Sequence, residues 1–70
     1  TIVVYPNPTS NVLNIDTRLD VDVEVYDMMG RKVLSEENVK RIDFTSVQDG
    51  IYNMVILYNE LRITKRVIKQ

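Results

Sequence analysis

Seventy residues with no Cys and no His make one small domain at most. They exclude disulfide staples, Cys or His zinc sites and an imidazole base for catalysis. A net charge of −1, from nine basic and ten acidic side chains, supplies no overall field favouring nucleic acid or an anionic membrane.

No apolar run reaches the ~20 residues of a membrane-spanning helix, and the first residues lack the basic and apolar zones of a secretory signal. The stretch is therefore expected neither to anchor nor to export itself by the general route. It starts at Thr1 and enters a strand-forming run at once, so residues 1–70 are read as a single module of a larger protein. Lack of Cys does not fix the compartment, because many secreted bacterial domains also avoid it.

The run IVVY, residues 2–5, predicts a first short strand. In YPNP, Pro6 and Pro8 lack amide donors and hold Tyr5 and Asn7 extended, so this segment is expected outside any sheet ladder, as a stiff connector or sheet-switching corner. Its residues favour a rigid turn between strands; the alternative is a fixed boundary between an upstream polypeptide and this module. NVLNID, 11–16, places Leu13 and Ile15 on one face of a second strand. DVDVEVYD, 20–27, alternates Val21, Val23 and Val25 with Asp22, Glu24 and Tyr26, the signature of a half-buried strand.

Asp27-Met28-Met29-Gly30 reads as a tight turn, in which Asp27 bonds the following amides and Gly30 takes positive φ, before RKVLS returns to close a hairpin. SEENVK, 35–40, is expected as a long polar loop because two glutamates and an Asn interrupt the alternation. KRIDF, 40–44, gives a strand with Ile42 and Phe44 on one face. GIYNMVILY, 50–58, is apolar on both faces, as a central strand is. Asn59-Glu60 is the turn after it, and LRITKRVIK is a last, basic strand suited to a sheet edge.

Seven short strands with turn signals roughly every ten residues predict an all-β, immunoglobulin-like antiparallel β-sandwich. DFTSVQDGIY, 43–52, fits the corner of such sandwiches, where a tyrosine hydroxyl, here Tyr52, bonds back to nearby backbone.

Three constellations bear on chemistry. Asp16, Asp20, Asp22, Glu24 and Asp27 crowd twelve residues, but Asp20, Asp22 and Glu24 step along a strand face about 7 Å apart, too spread for one cation, so a solvated face is expected and no metal. A carboxylate pair for acid–base work lacks a cleft and a third group, so no catalytic residue is assigned. Arg62, Lys65, Arg66 and Lys69 fall in the last nine residues; by charge alone they read as edge protection before a docking surface. Without an interleaved aromatic platform, nucleic acid is not an expected partner.

YPNP near the start, VYDMMGRKV in the middle, DGIYNMVI after it and KRVIK at the end together resemble the type A sorting domain of the type IX secretion system. The resemblance implies a non-catalytic, cofactor-free, C-terminal sandwich that directs cargo through periplasm and outer membrane of a Gram-negative bacterium to the surface or medium. The partners it implies are translocon components and a cysteine-protease sortase that removes the domain upstream of or near Thr1, with cargo anchored to lipopolysaccharide or released. The family's proline motif falls on Pro6, Asn7 and Pro8, its turn glycine on Gly30, its Gly-x-Tyr on Gly50 and Tyr52, and its basic terminal motif on Lys65 and Lys69. With Arg62 and Arg66, those lysines become the candidate translocon contact. The rival reading is an adhesion or carbohydrate-binding module of a surface enzyme using Tyr5, Tyr26 and Tyr58. No small-molecule substrate and no membrane span are expected; a weak edge-strand dimer of the isolated domain is.

Overall fold

The computed structural model describes residues 2–70. Its strands are β1 (Val3–Tyr5), β2 (Val12–Asp16), β3 (Val21–Tyr26), β4 (Lys32–Val39), β5 (Arg41–Asp43), β6 (Gly50–Tyr58) and β7 (Leu61–Lys69). They form a three-stranded sheet, ordered β1-β2-β5, and a four-stranded sheet, ordered β4-β3-β6-β7, with every strand pair antiparallel. The expected all-β sandwich of seven strands is therefore what the chain forms, and no helix occurs among the described residues.

Alternation drives this arrangement. One face of each sheet carries the apolar row, and the two rows meet: Leu13 and Ile15 from β2, Val21, Val23 and Val25 from β3, Ile42 from β5, Tyr52, Met54 and Ile56 from β6, and Val67 from β7. Each fully buried Val, Leu or Ile side chain contributes ~1.5–3 kcal/mol by leaving water. Phe44 and Val47, from the segment after β5, fill the end of the core, with the Phe44 ring edge-on to Tyr52 at 6.3 Å between centroids. β6 lies between β3 and β7, so side chains on its outer face are flanked by those of both neighbours. Val55, on its outer face in register with Glu24 and Thr64, is only 4 % exposed.

The turns follow their residues. The Asp27 carboxylate accepts the N–H groups of Met29 and Arg31, both at 2.9 Å, and Gly30 sits at φ 87°. Asn59 and Glu60 both take positive φ, as a two-residue hairpin turn with the twist of its strands requires.

Two expectations are corrected. Residues 35–39 are not loop: they are the second half of β4, an edge strand of the four-stranded sheet. Its polar residues face water on both sides while its backbone pairs with β3, so composition imitates a loop. Two register shifts against β3, and Asn38 at φ 56°, mark where the alternation breaks.

The proline segment does not switch sheets, since β1 and β2 are neighbours in one sheet. Nor is it outside all pairing. Thr9 donates its N–H to the Ile68 carbonyl and accepts the Gln70 N–H, both at 2.8 Å, forming a parallel bridge between Thr9 and Lys69. The prolines donate nothing, but the residues around them do. Both X–Pro bonds, Tyr5–Pro6 and Asn7–Pro8, are cis.

Candidate recognition site on the terminal strand

β7 is an edge strand of the larger sheet, and its period of two sorts its residues. Ile63, Lys65, Val67 and Lys69 lie on the core side, and Arg62, Thr64, Arg66 and Ile68 on the outer side, all four exposed. The four bases read together from the sequence are thus divided. Arg62 and Arg66 share the outer face, opposite Leu57 and Asn53 of β6. Lys65 is half-buried beside the core. Lys69 is 9 % exposed, and its ammonium donates to an Asp49 carboxylate oxygen at 3.2 Å. Lys69 thus caps one end of the core and is not a free surface charge.

The outer face carries an electrical gradient. Asp22 and Glu24 line β3, Val55 and Leu57 follow on β6, and Arg62 and Arg66 lie on β7. The Tyr26 hydroxyl, 3.0 Å from Glu24, holds that carboxyl below its ordinary value, with Lys32 and, from across the sheet, Arg62 adding to the effect. Asp22 accepts the Asn38 N–H, and Asp27 builds its turn with a further bond from the Arg31 guanidinium at 3.0 Å. Asp22, Glu24 and Asp27 are therefore spent on the outer face and the turn, while Asp16 ends β2 of the other sheet and Asp20 lies 4.0 Å from the Lys40 ammonium.

At the far end of β7 the connector closes over the edge. The Asn7 side-chain amide donates to the Arg66 carbonyl and accepts the Ile68 N–H, each at 3.0 Å. It does the work of a peptide group where neighbouring prolines have no N–H to give. Thr9, buried, anchors the connector through Oγ1, which donates to the Val12 carbonyl and accepts the Asn11 N–H. Sequence reasoning named Asn7 only as part of the proline motif and did not name Thr9; the available signal for docking was a backbone-like side chain held between two donor-less residues.

The remaining motif residues gather at this same end. Gly50 stands opposite Lys69 and Tyr52 opposite Val67, while the end of β3, beside Asn53, leads into the turn at Gly30. The Tyr52 hydroxyl donates to the Gln48 carbonyl at 2.6 Å, the corner bond expected of it. Gly50 has ordinary backbone, and a Cβ there would meet the Tyr52 ring at 3.7 Å, normal contact. Segments up to 61 residues apart in sequence thus converge on one end of the sandwich. A surface hollow lined by Ile2, Asp16, Thr17, Arg18, Leu19 and Tyr58 holds no motif residue.

The three tyrosines of the rival reading occupy separate places. Tyr5 is exposed on β1 of the smaller sheet, Tyr26 lies on the outer face of β3, and Tyr58 packs against the core from β6. No two of them make a common platform for a sugar ring. The processing point expected upstream of or near Thr1 lies outside the described residues.

No curated protein matches the chain. The family model described as "Secretion system C-terminal sorting domain" matches residues 3–70, from the first residue of β1 to the residue after β7. The connector, the β3–β4 turn, the Gly-x-Tyr corner and the basic last strand all fall within that match. The chain therefore belongs to the type IX secretion C-terminal sorting domains, the signals that direct proteins across the outer membrane of Gram-negative bacteria.

Proposed function

We propose that residues 1–70 act as one C-terminal address on a larger protein, and that the type IX translocon reads this address chiefly on the outer row of β7. One observation carries the proposal: within a chain matching the sorting family over residues 3–70, Arg62 and Arg66 stand exposed on one face of an edge strand. Guanidinium groups so placed suit bidentate bonds to carboxylates. Lys65 and Lys69 then have a supporting part, Lys69 by fixing the end of the strand. Pro6, Asn7, Pro8, Gly30, Gly50 and Tyr52 serve the shape of the end they share.

In this reading the domain works by recognition, without catalysis or cofactor. Cargo passes through the periplasm, and a surface sortase of the cysteine-protease class removes the domain, leaving cargo bound to lipopolysaccharide or released.

The test fuses residues 1–70 to a reporter bearing a signal peptide and compares a type IX-competent strain with its translocon-deficient twin. Export confined to the competent strain is expected. A folded reporter retained in the periplasm of both would overturn the proposal.

A further inference from the structure

The hydrogen-bond ledger along the outer edge of β7 divides at Arg66. In the hairpin that Asn59 and Glu60 close, residues of the parity of Leu61 turn their backbone groups toward β6. Those of the parity of Arg62 turn theirs to the open edge. On that edge Asn7 takes the Arg66 carbonyl and the Ile68 N–H, and Thr9 takes the Ile68 carbonyl and the Gln70 N–H. Among the described residues nothing takes the N–H and carbonyl of Arg62, those of Thr64, or the Arg66 N–H. The connector thus seals one half of the edge and stops.

The other edges are poor templates. β4 carries Glu36 and Glu37 and shifts register twice, which twists it away from a straight partner. β1 and β5 have three residues each. The open half of β7 is regular, lies at the end of a nine-residue strand, and bears Arg62 and Arg66 on the same face.

We infer that the open edge at Arg62–Arg66 is a strand-addition site for an extended acidic segment of the export machinery, with two carboxylates four residues apart facing Arg62 and Arg66. The inference rests on the sorting function proposed above and names the chemistry of its partner. Backbone bonds to Arg62, Thr64 and Arg66 would supply the docking, and the carboxylates the choice of partner.

Charge also selects against a second copy of the chain. Two β7 edges meeting antiparallel about Thr64 would set Arg62 against Arg66 and Arg66 against Arg62, like charges directly opposed. The same pair that admits an acidic strand repels its own double. Asn7 sets the length of the site, because its amide occupies the edge where a longer guest would continue.

Two experiments decide. Thr64→Pro removes one outward N–H from an edge position, where proline is tolerated, and Arg62→Glu with Arg66→Glu inverts the charge. Each, in the reporter fusion, is expected to cut export at least tenfold while thermal unfolding still shows a folded domain. In solution, an acetylated five-residue strand peptide with Glu at its first and fifth positions is expected to shift the amide resonances of Arg62, Thr64 and Arg66. It should do so at a concentration at least fivefold lower than its Lys counterpart or its backbone-methylated form.

Full export of folded Thr64→Pro, or equal binding of the Lys peptide, overturns the inference; if Thr64→Pro does not fold, the arginine pair decides. A dimer in solution that Thr64→Pro abolishes also overturns it, by assigning the edge to a second copy. Deletion of residues 65–70 separates the two readings. Lost export on deletion with full export of Thr64→Pro removes only the strand-addition site, whereas full export on deletion removes the sorting proposal itself.

Discussion

The side chain of Asn7 is bonded to the backbone of Ile68, its Oδ1 accepting the Ile68 N–H at 3.0 Å across 61 residues of sequence. With the return bond from Nδ2 to the Arg66 carbonyl, it ties the proline connector to the last strand. Asn7→Ala is expected to cost ~1 kcal/mol, because both groups can rebond to water at this exposed site. For a domain of this size that is roughly a 4–8 °C fall in melting temperature. Asn7→Asp should cost at least as much, since a carboxylate oxygen then confronts the Arg66 carbonyl. Urea unfolding gives the loss, and faster amide exchange confined to Ile68 and its neighbours locates it.

The two glycines of the family motif should respond differently to the same change. Gly30 sits at φ 87° with nothing near its missing Cβ, so Gly30→Ala meets backbone strain alone, about 1–2 kcal/mol. Gly50 has no such φ and space for a methyl group against Tyr52, so Gly50→Ala is expected within about 0.5 kcal/mol of the unaltered chain. Side-by-side thermal unfolding checks the contrast; equal losses would contradict it.

Tyr52→Phe isolates the corner bond. The ring keeps its place against Phe44, while the Gln48 carbonyl loses its 2.6 Å partner. A loss of about 1–2 kcal/mol is expected, against about 3–5 kcal/mol for Tyr52→Ala, which also empties part of the core. Denaturant midpoints at constant slope separate the two.

Acid should loosen the β3–β4 turn. The Arg31 backbone N–H above all, then the Arg31 guanidinium and the Met29 N–H, hold the Asp27 carboxyl below its ordinary value. The Thr45 hydroxyl and N–H do the same for Asp43. A carboxyl depressed on folding adds stability that is fully present above its unfolded-state pKa and lost as pH falls through the lower folded-state value. Melting temperature is therefore expected to decline below about pH 4, and Asp27→Asn to flatten that decline while lowering the plateau at neutral pH. Thermal unfolding from pH 7 to pH 2 reads both effects.

Lys69 is expected to matter through its stem as much as its charge. Lys69→Met keeps most of the aliphatic length at a 9 % exposed site and leaves Asp49, whose side chain is 74 % exposed, free in water. Lys69→Ala removes three methylenes, about 2 kcal/mol at ~0.8 kcal/mol each. Chemical denaturation of the pair should rank Met above Ala.

What could be read beforehand follows how local each signal was. The valines of β3 and the two-faced run of β6 announce themselves because burial repeats every second residue. Asp27 and Gly30 announce their turn by chemistry that acts within four residues. The second half of β4 was illegible because an exposed edge strand needs no apolar row; only its backbone pairing makes it a strand. The grouping of Arg62, Lys65, Arg66 and Lys69 by proximity dissolved once the pleat set odd and even positions on opposite faces. Burial of Lys69 and docking of Asn7 depend on partners 20 and 59–61 residues away, which no window along the chain contains. The Tyr52 corner was legible, its acceptor lying only four residues upstream.

The bridge between Thr9 and Lys69 also sets a clock. The partner of Thr9 is made 60 residues later, an interval of about 3–12 s at a synthesis rate of roughly 5–20 residues per second. Until Lys69 has left the ribosome, the connector has nothing to close on, and the outer edge that Asn7 and Thr9 seal does not exist. On a longer polypeptide ending in this domain, as proposed above, the segments before it would have had those seconds, and their own synthesis time, before the edge could close. The finished edge thus reports that translation has passed Lys69, and a translocon reading it as proposed above would inspect only chains made at least that far.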